Sequence, residues 1–211
     1  MKTFYTPPKI LQKMFPSFIW ESKVDKILFS FDDGPNPETT ETILESLREN
    51  NIKAIFFCVG ENIAKYPLLV RKIITEGHTI ANHSYSHQNI TFSSKLKINE
   101  QIELCSKAII GELGDGPKYY RPPHGRFDHR TNKILQKQNL TNVMWSLLTY
   151  DYKNDLNIVK FAVQKNLTKK SIIVMHDSNK SKDIIVESIN LIVEEADKNG
   201  FQIGEPSECL S

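Results

Sequence analysis

The sequence predicts an α/β fold, a distorted (β/α) barrel with about seven parallel strands in a single domain. Strand-like apolar segments alternate with helical patterns over most of the 211 residues, which favours βα units around a parallel sheet or barrel. The chain is long enough to bury one complete core, and barrels of this length form single domains. Polar residues also follow several predicted strands, as they do at the mouth of such a barrel.

Seven apolar segments are predicted to be strands, at residues 26–31, 54–59, 78–82, 119–121, 142–145, 171–175 and 201–203. Helical patterns alternate with them, at residues 37–50, 67–76, 95–113, 131–138, 158–167 and 183–199. Pro37 fits the first position of the first helix after a cap at Asn36, and Gly77 is a typical stop after the second helix.

The composition excludes several classes of protein. Apolar residues make up 39% and charged residues 25% of the chain, as in soluble globular proteins. A net charge of +2, with Lys and Arg evenly spread, argues against nucleic-acid and membrane partners. Cys58, Cys105 and Cys209 have no disulfide or zinc-thiolate spacing, and Cys58 lies in an apolar segment expected in the core. No signal peptide or membrane span is visible, which predicts a cytoplasmic protein unless another route exports it.

Two neighbouring acids follow the first predicted strand in "LFSFDDGPNP", residues 28–37. Adjacent carboxylates repel each other unless a cation lies near, so a metal ion beside Asp33 and an arginine beside Asp32 would relieve the repulsion. Arg121 in "RPPHG" has the planar fork that suits a carboxylate. Pro123 stiffens this loop, and Gly125 lets the backbone approach a ligand. Taken alone, Arg121 fits an ordinary surface arginine ahead of a turn better than a functional residue.

Two histidines lie four residues apart in "NHSYSH". On a helical turn, His83 and His87 would share one face and could hold one metal ion. Together with Asp33 they would leave positions open for water and substrate. The alternative is a pair of surface histidines on a polar turn.

A third histidine ends the strand in "SIIVMHDS". The ordinary pKa of His176 suits proton transfer near neutral pH. Asp151, in "MWSLLTYDYK" after the fifth predicted strand, could hold this imidazole in one tautomer. A structural histidine and an exposed loop acid remain the alternatives.

In this order, "SFDDGP", "HSYSH", "RPPHG", "WSLLTYDY" and "VMHD" resemble the motifs of the polysaccharide deacetylase family, which is carbohydrate esterase family 4 with the NodB homology domain. The family includes chitin and peptidoglycan N-acetylglucosamine deacetylases and acetylxylan esterases. The resemblance implies a metal-dependent hydrolase that removes acetyl groups from N-acetylated sugars such as N-acetylglucosamine-containing oligo- or polysaccharides.

The resemblance also implies a role for each motif residue. Asp33, His83 and His87 would bind a divalent ion, Zn in the first place, with Co or Ni as alternatives. The catalytic set would comprise Asp32 as base, His176 as acid, Arg121 and Asp151 as their respective partners, and the His124 backbone N–H as an oxyanion donor. Substrate would contact six residues, namely Pro123, His124, Gly125, Trp145, Leu148 and Tyr152.

Four positions depart from the family pattern. Leu148 stands where an Asp is usual, Tyr152 where a Trp is usual, His124 where a Tyr is common and Val174 where a Leu is common.

Three interpretations of the function stay open. An N-deacetylase comes first, an O-acetyl esterase of the acetylxylan type shares the same oxyanion, and a carbohydrate-binding pseudoenzyme is motivated by Leu148 and Tyr152. A monomer is the default oligomeric state.

The chain is expected to divide into an N-terminal extension, residues 1–23, and a polysaccharide deacetylase-like catalytic domain, residues 24–211. Aromatic residues of the extension are expected to pack on the bottom or side of the barrel rather than to line a sugar site. They are Phe4, Tyr5, Phe15, Phe18 and Trp20.

Overall fold

The computed structural model describes residues 5–89 and 93–211. In these segments the strands are β1 (Lys26–Asp32), β2 (Ile55–Cys58), β3 (Thr79–Asn82), β4 (Tyr119–Tyr120), β5 (Thr141–Asn142), β6 (Leu147–Leu148), β7 (Ile172–His176) and β8 (Gln202–Ile203). The helices are α1 (Lys9–Met14), α2 (Thr40–Glu49), α3 (Gly60–Lys65), α4 (Pro67–Thr75), α5 (Lys95–Leu113), α6 (His129–Lys137), α7 (Leu156–Asn166), α8 (Ile185–Lys198) and α9 (Pro206–Cys209). None of the helices in the described segments is both long and apolar enough to cross a membrane.

The sheet has the order β5-β4-β3-β2-β1-β7-β6, and β8 adds to the start of β1. All of these pairings are parallel. Within the described segments β5 and β6 form no ladder with each other, so the sheet curls into a barrel that is not fully closed. The prediction of a distorted (β/α) barrel in a single domain is confirmed.

Alternation along β1 separates the two faces of the sheet. Ile27, Phe29 and Phe31 belong to the large apolar cluster that the surrounding helices cover. Leu28 instead packs in a second cluster with residues of β2, β3 and β7. Because side chains two residues apart share a face, Asp32 points to the same side as Leu28, into the barrel.

The predicted strand at residues 142–145 was wrong in its extent. The ladder ends at Asn142, and a separate strand, β6, begins at Leu147. Arg121 explains the break, because its Nε donates to the Val143 carbonyl at 2.9 Å and its Nη2 to the Met144 carbonyl at 2.7 Å. These two carbonyls bind a side chain instead of a neighbouring strand.

The predicted start of the first helix was also wrong. Regular helix begins at Thr40, three residues after Pro37. The Asn36 side chain accepts the Glu38 N–H at 2.9 Å, and its carbonyl accepts the Thr40 N–H at 2.9 Å. Asn36 thus makes the hydrogen bonds of an N-cap, but to the turn at residues 37–39 that precedes the regular helix.

The described part of the N-terminal segment contacts the sheet at two places. Phe18 and Trp20 are buried in one cluster with Met144. The Tyr5 carbonyl accepts the Leu148 N–H at 2.8 Å, and the Tyr5 ring contacts those of Tyr150 and Phe161. Phe4 lies outside the described residues. The division of the chain at residue 24 stays a prediction.

Candidate active site

A pocket of about 270 Å³ opens at the carboxyl ends of the strands, where barrels of this kind carry their chemistry. Most of the candidate residues from the sequence face it. Its walls are formed by Asp32, Asp33, His83, His87, His124, Gly125, Trp145, Leu148, Tyr152, Val174, His176 and Lys180. Arg121 and Asp151 lie behind this wall, fully buried, and Pro123 is buried outside it.

Asp32 forms a buried ion pair with Arg121. Arg121 Nη1 donates to Asp32 Oδ1 at 2.7 Å and to Ser30 Oγ at 2.8 Å. Ser30 and Asp32 share the inner face of β1, so one guanidinium spans both. The guanidinium also lies over the Phe57 ring, 4.0 Å from its centroid. The pKa of Arg121 is lowered by burial, although the neighbouring Asp32 acts in the opposite direction. The ion pair fixes the Asp32 side chain at the pocket wall.

Asp33 reaches the pocket because the backbone turns there. Strict alternation would place it on the opposite face from Asp32, but Asp33 has a φ of 79°, which is uncommon for a residue other than glycine. Its carbonyl accepts the Asn62 side-chain amide at 2.8 Å, and the next carbonyl, that of Gly34, accepts the Val59 N–H at 2.9 Å. Two neighbouring acids thus enter one pocket from different directions.

His83 and His87 lie in a loop, so the prediction of a helical turn was wrong. Ser84 and His87 have φ values of 65° and 52°, and these turns bring the two rings to a centroid distance of 5.1 Å. His83 Nδ1 lies 2.8 Å from the Arg121 carbonyl. With the proton on Nδ1, its Nε2 is left free to bind an ion.

The three predicted ligands fit a divalent metal ion. One ligand atom from each of Asp33, His83 and His87 lies within 4.8 Å of the others. Asp33 Oδ1 is 3.0 Å from His87 Nε2 and 3.6 Å from His83 Nε2. Two imidazoles and one carboxylate form the donor set that Zn²⁺, Co²⁺ and Ni²⁺ accept, and three ligands leave coordination positions for water and substrate.

His176 lies across the pocket and is held by Asp151. Its Nδ1 is 2.8 Å from Asp151 Oδ1, and its backbone N–H donates to Asp151 Oδ2 at 2.7 Å. The Thr149 hydroxyl also donates to Asp151 Oδ1, at 3.0 Å. Burial alone would lower the pKa of His176, but the Asp151 carboxylate outweighs it and raises that pKa to about 9. The imidazolium form is therefore favoured at neutral pH.

Five of the six predicted substrate residues line the pocket, and Pro123 does not. The Tyr152 ring meets the His176 ring edge to face, with centroids 4.8 Å apart. Burial raises the pKa of Tyr152 to about 12, so its phenol stays neutral. At Gly125, with a φ of 63°, a Cβ atom would lie only 2.3 Å from the Trp145 ring. Gly125 therefore leaves the space that the Trp145 ring occupies, in addition to letting the backbone approach a ligand.

Several residues around the pocket escaped sequence reasoning. Lys180 is an exposed cation at its rim. Asp177 directly follows His176 and is only 1% exposed. Burial raises the pKa of Asp177 to about 7, against hydrogen bonds from Thr39 and Thr40. Asp177 follows His176 directly in the sequence, but its partners Thr39 and Thr40 lie more than a hundred residues earlier in the chain, so its burial could not be predicted from the local pattern.

A family model described as polysaccharide deacetylase matches residues 21–143. The match covers Asp32, Asp33, the two loop histidines and Arg121, and it ends before Asp151 and His176.

Known proteins of the same family are similar to the chain. A peptidoglycan-N-acetylglucosamine deacetylase of Bacillus cereus is 34% identical over 175 residues, 82% of this chain and 64% of the relative. The enzyme PgdA of Listeria monocytogenes is 32% identical over 157 residues, 74% of this chain and 33% of that protein. The chain thus spans less than two thirds of the length of either relative.

A crystal structure of a peptidoglycan N-acetylglucosamine deacetylase with a bound benzamide derivative superposes with a TM-score of 0.87 and 30% sequence identity, covering 97% of both chains. Fold, motif residues and these similarities agree. The chain belongs to the polysaccharide deacetylase family, carbohydrate esterase family 4.

Proposed function

We propose that this chain is a metal-dependent hydrolase that removes the acetyl group from N-acetylglucosamine units of an oligo- or polysaccharide. The observation that carries the proposal is the convergence of three groups on one pocket. These are the Asp32–Arg121 ion pair, the cluster of Asp33 with two histidines, and the His176–Asp151 pair. The substrate class follows the similarity to peptidoglycan-N-acetylglucosamine deacetylases.

Asp33, His83 and His87 would hold a divalent ion, which when bound would supply Lewis-acid chemistry at the acetyl carbonyl and lower the pKa of water. Asp32 acts as the general base and takes the proton from the attacking water. Arg121 fixes the direction of the Asp32 side chain, which accepts a charge-assisted hydrogen bond from the guanidinium at 2.7 Å. The backbone N–H of His124 is the expected protein donor to the developing oxyanion.

His176 then acts as the general acid. It gives a proton to the sugar nitrogen as the carbon–nitrogen bond breaks, so that acetate and a free amino sugar leave. Asp151 accepts a hydrogen bond from Nδ1 and stabilises the imidazolium until that transfer. Tyr152, Trp145 and Leu148 exclude water around the acetyl group. The departures from the family pattern therefore affect the shape of the wall and leave the groups that move protons in place.

The direct test is acetate release by Zn²⁺-loaded protein from an N-acetylglucosamine tetramer and from acetylated xylan. Release from the tetramer is expected, with Asp32→Asn reducing it by several orders of magnitude. Asp25→Asn is the matched control, because Asp25 is an exposed acid paired with Lys169. Release from xylan alone would replace the proposal with an O-acetyl esterase. No release from either substrate, with Zn²⁺ bound, would favour the carbohydrate-binding pseudoenzyme.

A further inference from the structure

Asp177 is a buried carboxylate that the reaction outlined above does not use. Its Oδ1 accepts the Thr39 hydroxyl at 2.5 Å, and its Oδ2 accepts the Thr40 hydroxyl at 2.6 Å. Both threonines are buried at the start of α2. A buried acid is costly unless its oxygens are satisfied, and here each carboxylate oxygen accepts one hydroxyl from the start of α2.

The same contacts reach the turn that carries Asp33. Thr40 Oγ1 donates to Asp177 and also accepts the Asn36 N–H at 2.7 Å. The Asp177 N–H donates to the Asp32 carbonyl at 2.8 Å. Asp177 is therefore linked to both ends of the turn from Asp32 to Asn36.

Gly34, in the middle of this turn, lies against Asp177. A Cβ atom at Gly34 would be 2.2 Å from Asp177 Oδ2, so only glycine leaves room for the carboxylate there. On its other side the turn is held by Asn62, which donates to the Asp33 carbonyl at 2.8 Å. The backbone that gives Asp33 its φ of 79° is thus fixed from both sides, by Asn62 and by Asp177.

We propose that Asp177 is a positioning residue that holds the Asp32–Asn36 turn, so that Asp33 faces the metal site while Asp32 faces the attacking water. The proposal rests on the proposed function of the site. Asp177 acts through the turn and touches neither substrate nor ion. Because His176 precedes Asp177 directly, the same clamp also fixes the spacing between the acid side and the base side of the pocket.

The test compares Asp177→Ala, Asp177→Asn and Thr40→Val with the unchanged chain. Asp177→Ala removes both hydroxyl contacts. Asp177→Asn has the same shape and can accept from one hydroxyl while donating to the other. Thr40→Val keeps the β-branched shape and removes one hydroxyl. Asp183→Ala is the matched control, because Asp183 is an exposed acid nearby whose side chain accepts from Asn154.

Zn²⁺ titration of the metal-free protein by calorimetry is the first measurement. Loss of groups that orient metal ligands weakens metal binding by about 10–100-fold, and about tenfold is expected for Asp177→Ala and for Thr40→Val. Asp177→Asn and Asp183→Ala should bind Zn²⁺ as tightly as the unchanged chain. Steady-state kinetics on the N-acetylglucosamine tetramer should show a lower kcat at a nearly constant KM, since the sugar-facing wall is intact.

A purely structural role would lower the melting temperature and leave Zn²⁺ affinity and kcat of the folded protein unchanged. That result for Thr40→Val, the mildest variant, would overturn the proposal even if Asp177→Ala fails to fold. Equal weakening by Asp177→Asn and Asp177→Ala would overturn it too. If the unchanged chain released no acetate, the proposed function would fail, but the Zn²⁺ titration would still decide whether Asp177 positions Asp33.

Discussion

Arg121 Nη1 lies 2.7 Å from Asp32 Oδ1 in the interior of the barrel, and neither side chain has appreciable contact with solvent. Each guanidinium nitrogen donates at least one hydrogen bond, and the acceptors are Asp32, Ser30 and the carbonyls of Val143 and Met144. This pair links the middle of the barrel to the base of the pocket.

Replacement of Arg121 should therefore cost stability as well as activity. Arg121→Met leaves Asp32 buried without its cation, and breaking a buried ion pair costs roughly 3–5 kcal/mol. We expect urea unfolding of the metal-free protein to show a loss of that size. Arg71→Met is the control, because the exposed pair of Arg71 with Glu112 should contribute no more than about 1 kcal/mol. Equal losses in the two variants would contradict a buried pair.

The pair predicts coupling as well. Asp32→Asn removes the charge that Arg121 neutralises. The double variant Arg121→Met/Asp32→Asn should therefore lose less stability than the sum of the losses in Arg121→Met and Asp32→Asn, by about 1 kcal/mol or more. Strict additivity in the same urea series would show that the two side chains do not interact.

His78 predicts a pH dependence that is independent of the active site. Burial, assisted by Lys53, lowers the pKa of His78 to about 4, and its Nδ1 accepts the Ala54 N–H at 3.1 Å. Because the folded-state pKa lies below the unfolded value of about 6.5, the contribution is complete above pH 6.5. It should be lost as the pH falls towards 4, by about 2–3 kcal/mol.

His78→Asn is the variant that isolates this effect, since an amide oxygen can accept the Ala54 N–H and does not titrate. Urea unfolding between pH 7 and 4 should lose less stability in this variant than in the unchanged chain. Identical slopes would show that other groups cause the acid sensitivity.

The His176–Asp151 pair predicts the alkaline side of the activity profile. If protonated His176 is the general acid, activity is lost as the pH rises through its pKa, which Asp151 raises to about 9 against burial. In Asp151→Asn the high-pH limb of kcat/KM should move to lower pH by about one pH unit or more. Asp183→Asn should leave it in place. An unmoved limb in Asp151→Asn would mean that another group sets it.

Much of the fold followed from local pattern. An apolar segment predicted β1, and the two-residue period of a strand places Asp32 on the inner face beside Ser30. The family motifs brought together Asp33, His83 and His87 before any geometry was known. These features depend on residues close in sequence or on motifs with a common order.

Other features depend on distant partners. Asp33 enters the pocket only through its φ of 79°, which is stabilised by contacts from Asn62 and Val59. The two loop histidines converge through positive φ angles rather than a helical turn. The fifth predicted strand is interrupted because Arg121 donates hydrogen bonds to the carbonyls of Val143 and Met144. None of these long-range hydrogen bonds has a signature in a single stretch of sequence.

The division of labour between the two neighbouring acids is the central claim, and bound Zn²⁺ measured beside acetate release in Asp32→Asn and Asp33→Asn tests it most directly. Asp32→Asn should retain a full equivalent of Zn²⁺ and release almost no acetate from the N-acetylglucosamine tetramer. Asp33→Asn should lose Zn²⁺ at concentrations that saturate the unchanged chain. Loss of Zn²⁺ in Asp32→Asn, or full Zn²⁺ binding in Asp33→Asn, would contradict the assignment.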